Sequence, residues 1–345
     1  MDSNVNVENR IQWIDAVKGI AIIFVVLGHC VNGQTFTWVY SFHMPLFFFI
    51  SGYLSLNSIW LGWKSYMLKK ISRILWPYLT LWIICIACNY LFAVIRGEQY
   101  IWYIQRLGTF LISKRNGIWD SVPLWFLTAL FVSEMYFYFM KRVIKNDLML
   151  GVLILVIGLS VCMHFNSIAS VKPLPWSADI ALFETIFYYA GYLFSKNKGK
   201  RLLVRVFPQF AIIGGGLSGS LFFNENVWGL FARTGIPYEF TYVLFAFSGI
   251  VFWIAVAKGL SKIELLTFIG QNSIVVMGIH VEFCFALVGL ILSKYAISFS
   301  VPDLQGLVMT VLTLVIAIPS IKFINKYAPW IVTCPINSRK KRDEL

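Results

Sequence analysis

The sequence predicts an all-α fold, a polytopic transmembrane bundle of about ten helices with both termini in the cytoplasm. Three observations predict it. Hydrophobic residues make up 59% of the 345 positions and charged residues only 13%, too little polar surface to cover a water-soluble globule of this size. Apolar runs near the roughly 20 residues that cross a bilayer recur along almost the whole chain. The basic residues sit in short clusters between those runs, which is the pattern of membrane topology. The formal net charge of +13 therefore reflects orientation in lipid and not nucleic-acid binding.

Read between charged breaks, the spans are 11–31, 42–60, 74–95, 123–140, 148–164, 178–194, 206–223, 240–257, 265–293 and 304–323. The first follows a polar start with Asp2, Glu8, Arg10 and Asp15 and lacks a small-residue cleavage site, so it reads as a retained helix and not a signal peptide. In the second, Pro45 falls in the first turn, where its missing N–H is tolerated, and Ser51-Gly52 permits close helix approach. The third carries Cys85 and Cys88 as C-x-x-C with no second pair. Packing is the reading for them, as for the other scattered members of the six cysteines, and no metal is expected. Between the third and fourth spans, 96–122 is amphipathic around 101–112 and is expected to form an interfacial helix. The ninth span is long for one crossing and is expected to tilt or break near Gly278.

Alternating the connections puts both termini and the loops near 61–73, 141–147, 195–205 and 258–264 on one face. Of the 29 Lys and Arg residues, only Arg96, Arg106, Lys114, Arg115, Lys172, Arg233 and Lys294 fall opposite. The positive-inside rule makes the richer face cytoplasmic. The last four residues resemble a luminal retention signal, but the basic run at 339–342 argues for the cytoplasm, so the match reads as coincidence. One membrane domain fills 1–345, with short polar tails at 1–10 and 335–345.

Polar residues are costly at membrane depth, so each one there is a functional candidate. Of the four histidines, His29 ends the first apolar run, His43 opens the second, His164 ends the fifth and His280 lies inside the ninth. Lys18 and His29 are eleven residues apart, which on an α-helix leaves them on one face about 16 Å apart along the axis. That geometry fits a polar channel, and equally a snorkelling lysine with an interfacial histidine. Three carboxylates, Glu134, Glu184 and Glu282, lie well inside spans, and nothing in the sequence chooses among them as a partner for His29.

Several motifs carry a resemblance in their order. Lys18 to His29 follows the pattern of a basic residue, ten residues, then His in the first helix. Phe47-Phe48-Phe49-Ile50-Ser51-Gly52 matches a Phe-Phe-x-x-Ser-Gly core. Lys70-Ile71-Ser72-Arg73 with Pro77 matches a basic pair three apart before the third helix. Leu124-Trp125-Phe126-Leu127, Phe187-Tyr188-Tyr189-Ala190-Gly191-Tyr192, and Gly270-Gln271-Asn272-Ser273 with His280 follow. Together they resemble the acyltransferase-3 family, membrane enzymes that O-acetylate cell-surface sugars. Lys18 and Lys70 stand where arginine is usual, replacing bidentate phosphate binding with a point charge.

The resemblance implies a multi-pass protein of a bacterial plasma or inner membrane that takes acetyl-CoA as donor and a glycan hydroxyl as acceptor, with no permanently bound cofactor. It places His29 as the base and His280 as a second catalytic residue. Lys18, Lys70 and Arg73 would hold the donor's phosphates on the cytoplasmic side. His43, Ser51, Tyr53 and Asn272 are the candidates for acceptor or oxyanion contacts. The alternative is a transporter of a sugar or acyl compound, since basic residues and histidines along a channel also suit transport. No repeat with matching broken helices supports it. The oligomeric state is not legible.

Overall fold

The computed structural model describes residues 11–97, 112–113, 122–167, 173–197, 201–223, 238–295 and 301–335. The interfacial helix expected around 101–112 lies outside the described residues apart from Ile112, and so do the polar tails and the retention-like tetrapeptide. All regular structure among the described residues is helical: α1 (Gln12–Gly28), α2 (Gly33–Tyr40), α3 (His43–Leu54), α4 (Trp63–Lys70), α5 (Trp76–Arg96), α6 (Trp125–Val143), α7 (Asp147–Ser167), α8 (Ala178–Asn197), α9 (Arg201–Phe223), α10 (Tyr238–Gly259), α11 (Glu264–Gln271), α12 (Ser273–Ile279), α13 (Ala286–Lys294) and α14 (Pro302–Tyr327). Wide i→i+5 turns join α4 to α5 at Ile71–Leu75 and α12 to α13 at His280–Phe285.

Among the described residues, five helical stretches are long and apolar enough to cross a bilayer: Trp63–Arg96, Asp147–Phe165, Tyr238–Gly259, Ser273–Lys294 and Pro302–Tyr327. Their outward faces are apolar. On α14, Leu304, Leu307, Val311 and Val315 stand exposed at helical spacing, and on α7 Leu148, Met149, Val152 and Val156 do the same. Glu134, Lys70, Asp179 and Glu184 are buried instead. Apolar groups outside and ionisable groups inside is the arrangement lipid demands.

Local chemistry sets the departures from the expected spans. The second span, read as 42–60, yields only the twelve-residue α3, about 18 Å of helix. It ends because Ser55 Oγ donates to the Gly52 carbonyl at 2.7 Å and Ser58 Oγ to the Ser55 carbonyl at 3.0 Å, local bonds that compete with helix propagation. The stretch before it, read as a connection, holds the short α2. The wide turn before α5 coincides with Pro77, which has no N–H to return to residue 73. The long ninth run breaks twice, at Asn272 and again in the wide turn that begins at His280, two residues beyond the expected Gly278.

Two glycine contacts hold the bundle's centre. A Cβ at Gly52 would fall on the Tyr188 carbonyl, and one at Gly191 on the Phe49 carbonyl, so α3 and α8 cross backbone against backbone. Gly270 makes the same kind of contact with the Asp15 carbonyl, seating α11 on α1. Close approach through small residues gains dispersion contact without any hydrophobic drive between helices.

Candidate active site

The elements run so that α1 has two chemically distinct ends. At its start, Trp13 packs edge-on against Tyr53 at 5.2 Å between ring centroids, and Lys258 Nζ lies 5.5 Å from the Trp13 ring. Gln271 Nε2 donates to Asp15 Oδ2 at 3.3 Å. At the other end, His29 continues the helical backbone one residue past Gly28. The antiparallel α3 and α8 bring His43 and Glu184 to that end, and α10 brings Tyr242.

His29 is accessible in a cavity of about 280 Å³, which His43, Tyr40, Trp125, Glu184 and Tyr242 also line. Beside it lies His280, fully buried, with ring centroids 5.3 Å apart and planes at 48°. His280 Nδ1 lies 2.9 Å from the Val276 carbonyl and 3.0 Å from that of Met277. A carbonyl only accepts, so Nδ1 carries the proton and Nε2 is left with a lone pair. That Nε2 has no hydrogen-bond partner among the described residues. His43 repeats the arrangement, with Nδ1 2.7 Å from the Val39 carbonyl and its ring edge-on to Tyr40 at 4.7 Å. Tyr242 Oη donates to the Tyr40 carbonyl at 3.3 Å, tying α10 to the end of α2.

Three sequence-named histidines thus meet at one end of the bundle, while His164, exposed with its ring against Phe165 at 5.4 Å, stands apart. Among the internal carboxylates the structure separates roles that sequence could not. Glu184 shares the cavity with His29. Glu134 Oε1 instead pairs with Lys70 Nζ at 2.8 Å, both residues buried, under the Tyr66 ring. Glu282 lies half-buried in the wide turn after α12. Trp125 and Phe126 of the Leu-Trp-Phe-Leu block line the cavity, a role their aromatic character alone did not indicate.

The cations expected to hold a donor are not equivalent. Lys18 is half-buried on α1, Lys70 is committed to Glu134, and Arg73 is exposed. Arg73 lies inside the i→i+5 turn Ile71–Leu75 that follows Lys70. Three polar candidates for contact near His29 lie elsewhere. Tyr53 packs at the Trp13 end, sixteen residues along α1 from His29. Asn272 follows Gln271 at that same end and accepts from Asn325 Nδ2 at 2.9 Å. Ser51 lies eight residues beyond His43 on α3, about 12 Å away along the axis. All three therefore stand away from His29, because helix rise separates residues that the sequence only orders.

A family model described as an acyltransferase domain matches residues 11–322. The chain belongs to the acyltransferase-3 family. The nodulation protein NolL of Sinorhizobium fredii is 44% identical over 63 residues, which is 15% of this chain and 17% of that protein. The chain therefore spans less than a fifth of the curated relative it matches. No solved structure matches. The chain is thus a polytopic helical bundle of this family, with three histidines gathered at one end.

Proposed function

We propose that this membrane acyltransferase carries acetyl from acetyl-CoA on the cytoplasmic side of a bacterial plasma membrane to a hydroxyl of a cell-surface glycan or its lipid-linked precursor. The observation that carries the reading is His29, open to a cavity beside buried His280, at the opposite end of α1 from Lys18. The Sinorhizobium relative supports the bacterial setting.

In this scheme an N–H of His29 donates to the lone pair on His280 Nε2, which leaves the other His29 nitrogen as the base. His29 takes the proton of the acceptor hydroxyl as its oxygen attacks the thioester carbonyl. The tetrahedral adduct collapses, the C–S bond breaks, and the departing thiolate recovers the proton from the imidazolium. The products are the sugar ester and free coenzyme A. Lys18 and Arg73 bind the donor's phosphates as cations, and the pantetheine arm covers the roughly 16 Å of helix rise from Lys18 to His29. Lys70 joins them only when phosphate displaces Glu134.

The test is to delete the gene, complement with wild type or His29→Ala, and measure ester-linked acetate on surface glycans by mass spectrometry. Wild type is expected to restore the acetate and the alanine form to leave it absent. Restoration by His29→Ala would overturn the assignment.

A further inference from the structure

Another cavity, of about 460 Å³, lies on the reverse side of α1 from the histidines. Leu27 lines it, and a residue two before His29 stands about 200° around the helix from that ring. The other walls come from α2, α9, α10 and α14. They lie within the helical layer: Gly219 is four residues before the end of α9 at Phe223, and Phe252 is fourteen residues beyond the start of α10, about 6 and 21 Å from those ends.

Most polar side chains among the described lining residues are matched to one another. Thr35 Oγ1 donates to Asp303 Oδ2 at 3.3 Å and Trp38 Nε1 to Ser218 Oγ at 3.2 Å. Trp253 Nε1 has no partner among the described residues but is itself buried, so its ring offers the cavity carbon. Gly219 leaves room, since a Cβ there would meet nothing within 4 Å, whereas one at Gly215 would strike the Phe252 ring. Leu307, 52% exposed, belongs both to the cavity and to the apolar outer stripe of α14. The cavity is thus continuous with the lipid-facing surface.

A ligand rich in hydroxyls or charge would exchange water for carbon walls, which is costly. A hydrocarbon chain pays no such penalty, and it restores the dispersion contacts that an empty cavity forfeits. We propose that this cavity holds one acyl chain of a phospholipid from the surrounding bilayer, entering beside Leu307. Phospholipid is the occupant because the bilayer supplies it in excess over other chain-bearing molecules, and occupancy follows concentration. The chain packs on Leu27, behind the turn that presents His29, and braces that turn from the side opposite the histidine cavity. The proposal stands apart from the transferase reading.

The experiment reconstitutes the full chain in nanodiscs of phosphatidylethanolamine and phosphatidylglycerol, doped with a phosphatidylcholine that carries a diazirine on one acyl chain. Peptide mass spectrometry then maps the photo-crosslinks. Label on Leu27 and on 215–219 should exceed that on the exposed Leu148, Met149, Val152 and Val156 of α7 by about tenfold, equivalent to about 1.4 kcal/mol of preference over bulk lipid. Gly219→Phe fills the slot where the glycine leaves room. It should reduce the enrichment to the level of α7 while the melting temperature holds. An even spread in wild type, or enrichment that survives Gly219→Phe, overturns the proposal. If Gly219→Phe does not fold, Leu307→Phe at the exposed mouth is judged by the same map and the same outcomes. Native mass spectrometry of protein extracted from its own membranes identifies the occupant: a retained phospholipid supports the assignment, and an isoprenoid-linked sugar in its place overturns it.

Discussion

The two ends of α1 follow opposite electrostatic plans. At the Trp13 end, several polar groups find partners inside the protein: Asp15 with Gln271, Asn272 with Asn325, and Lys70 with Glu134, while Glu134 Oε2 and Arg142 Nε have none among the described residues. At the His29 end, Asp179 Oδ1, Glu184 Oε2 and His280 Nε2 have none among the described residues, and the two carboxylates line cavities. An unmatched buried polar atom costs about 1–3 kcal/mol. Part of that burden falls on Asp179 and Glu184, which line cavities at the His29 end.

That contrast breaks first at His29. His29→Ala should lower the initial rate of glycan acetylation by about 10²–10⁴-fold, with the protein level in membranes measured beside the rate. A rate near wild type would show that the open end is not the chemical one. The next largest effect belongs to the closed end. Lys70→Met leaves Glu134 buried without its counter-ion and should cost about 3–5 kcal/mol, seen as a lower melting temperature in detergent. Adding Glu134→Leu should restore most of the loss, and a single variant that melts like wild type would refute a structural role for the pair.

Glu184→Gln sharpens the comparison from the other side. It keeps the shape and removes a buried carboxyl oxygen that has no partner among the described residues, so melting should hold while kcat/KM for the glycan falls by the equivalent of about 0.5–1.5 kcal/mol, measured from initial rates. Lys18→Gln should raise KM for acetyl-CoA about fivefold, near 1 kcal/mol, and Lys18→Arg should keep it low, since arginine also pairs with phosphate. The smallest change is His164→Ala, expected within about 0.5 kcal/mol of wild-type stability and without effect on rate.

Much of the bundle was legible because lipid enforces long apolar helices, and α7, α10 and α14 fall where their apolar runs lie. The short α3 was not, since Ser55 and Ser58 end it through local hydrogen bonds that hydropathy does not register. The wide turn at His280 was misplaced by two residues for a related reason: backbone hydrogen-bond register leaves no mark in apolar content. Within the site, His29, His43 and His280 could be named from polar residues at depth and from motif order. Choosing Glu184 over Glu134 required knowing which helix faces which, information carried by the Gly52 and Gly191 contacts and not by either glutamate's neighbours. Tyr53 and Asn272, candidates for acceptor or oxyanion contacts, lie at the Trp13 end, a placement that depends on distance along the helix axis and is not visible in residue type.

The carbonyls that hold His43 and His280 lie four residues earlier in the same chain segment. Each imidazole therefore inherits its tautomer from its own backbone, with no distant side chain that must co-evolve to set it. Substitutions elsewhere in the bundle can reshape the acceptor's surroundings while the proton pattern of these two rings passes unchanged from one sequence to the next.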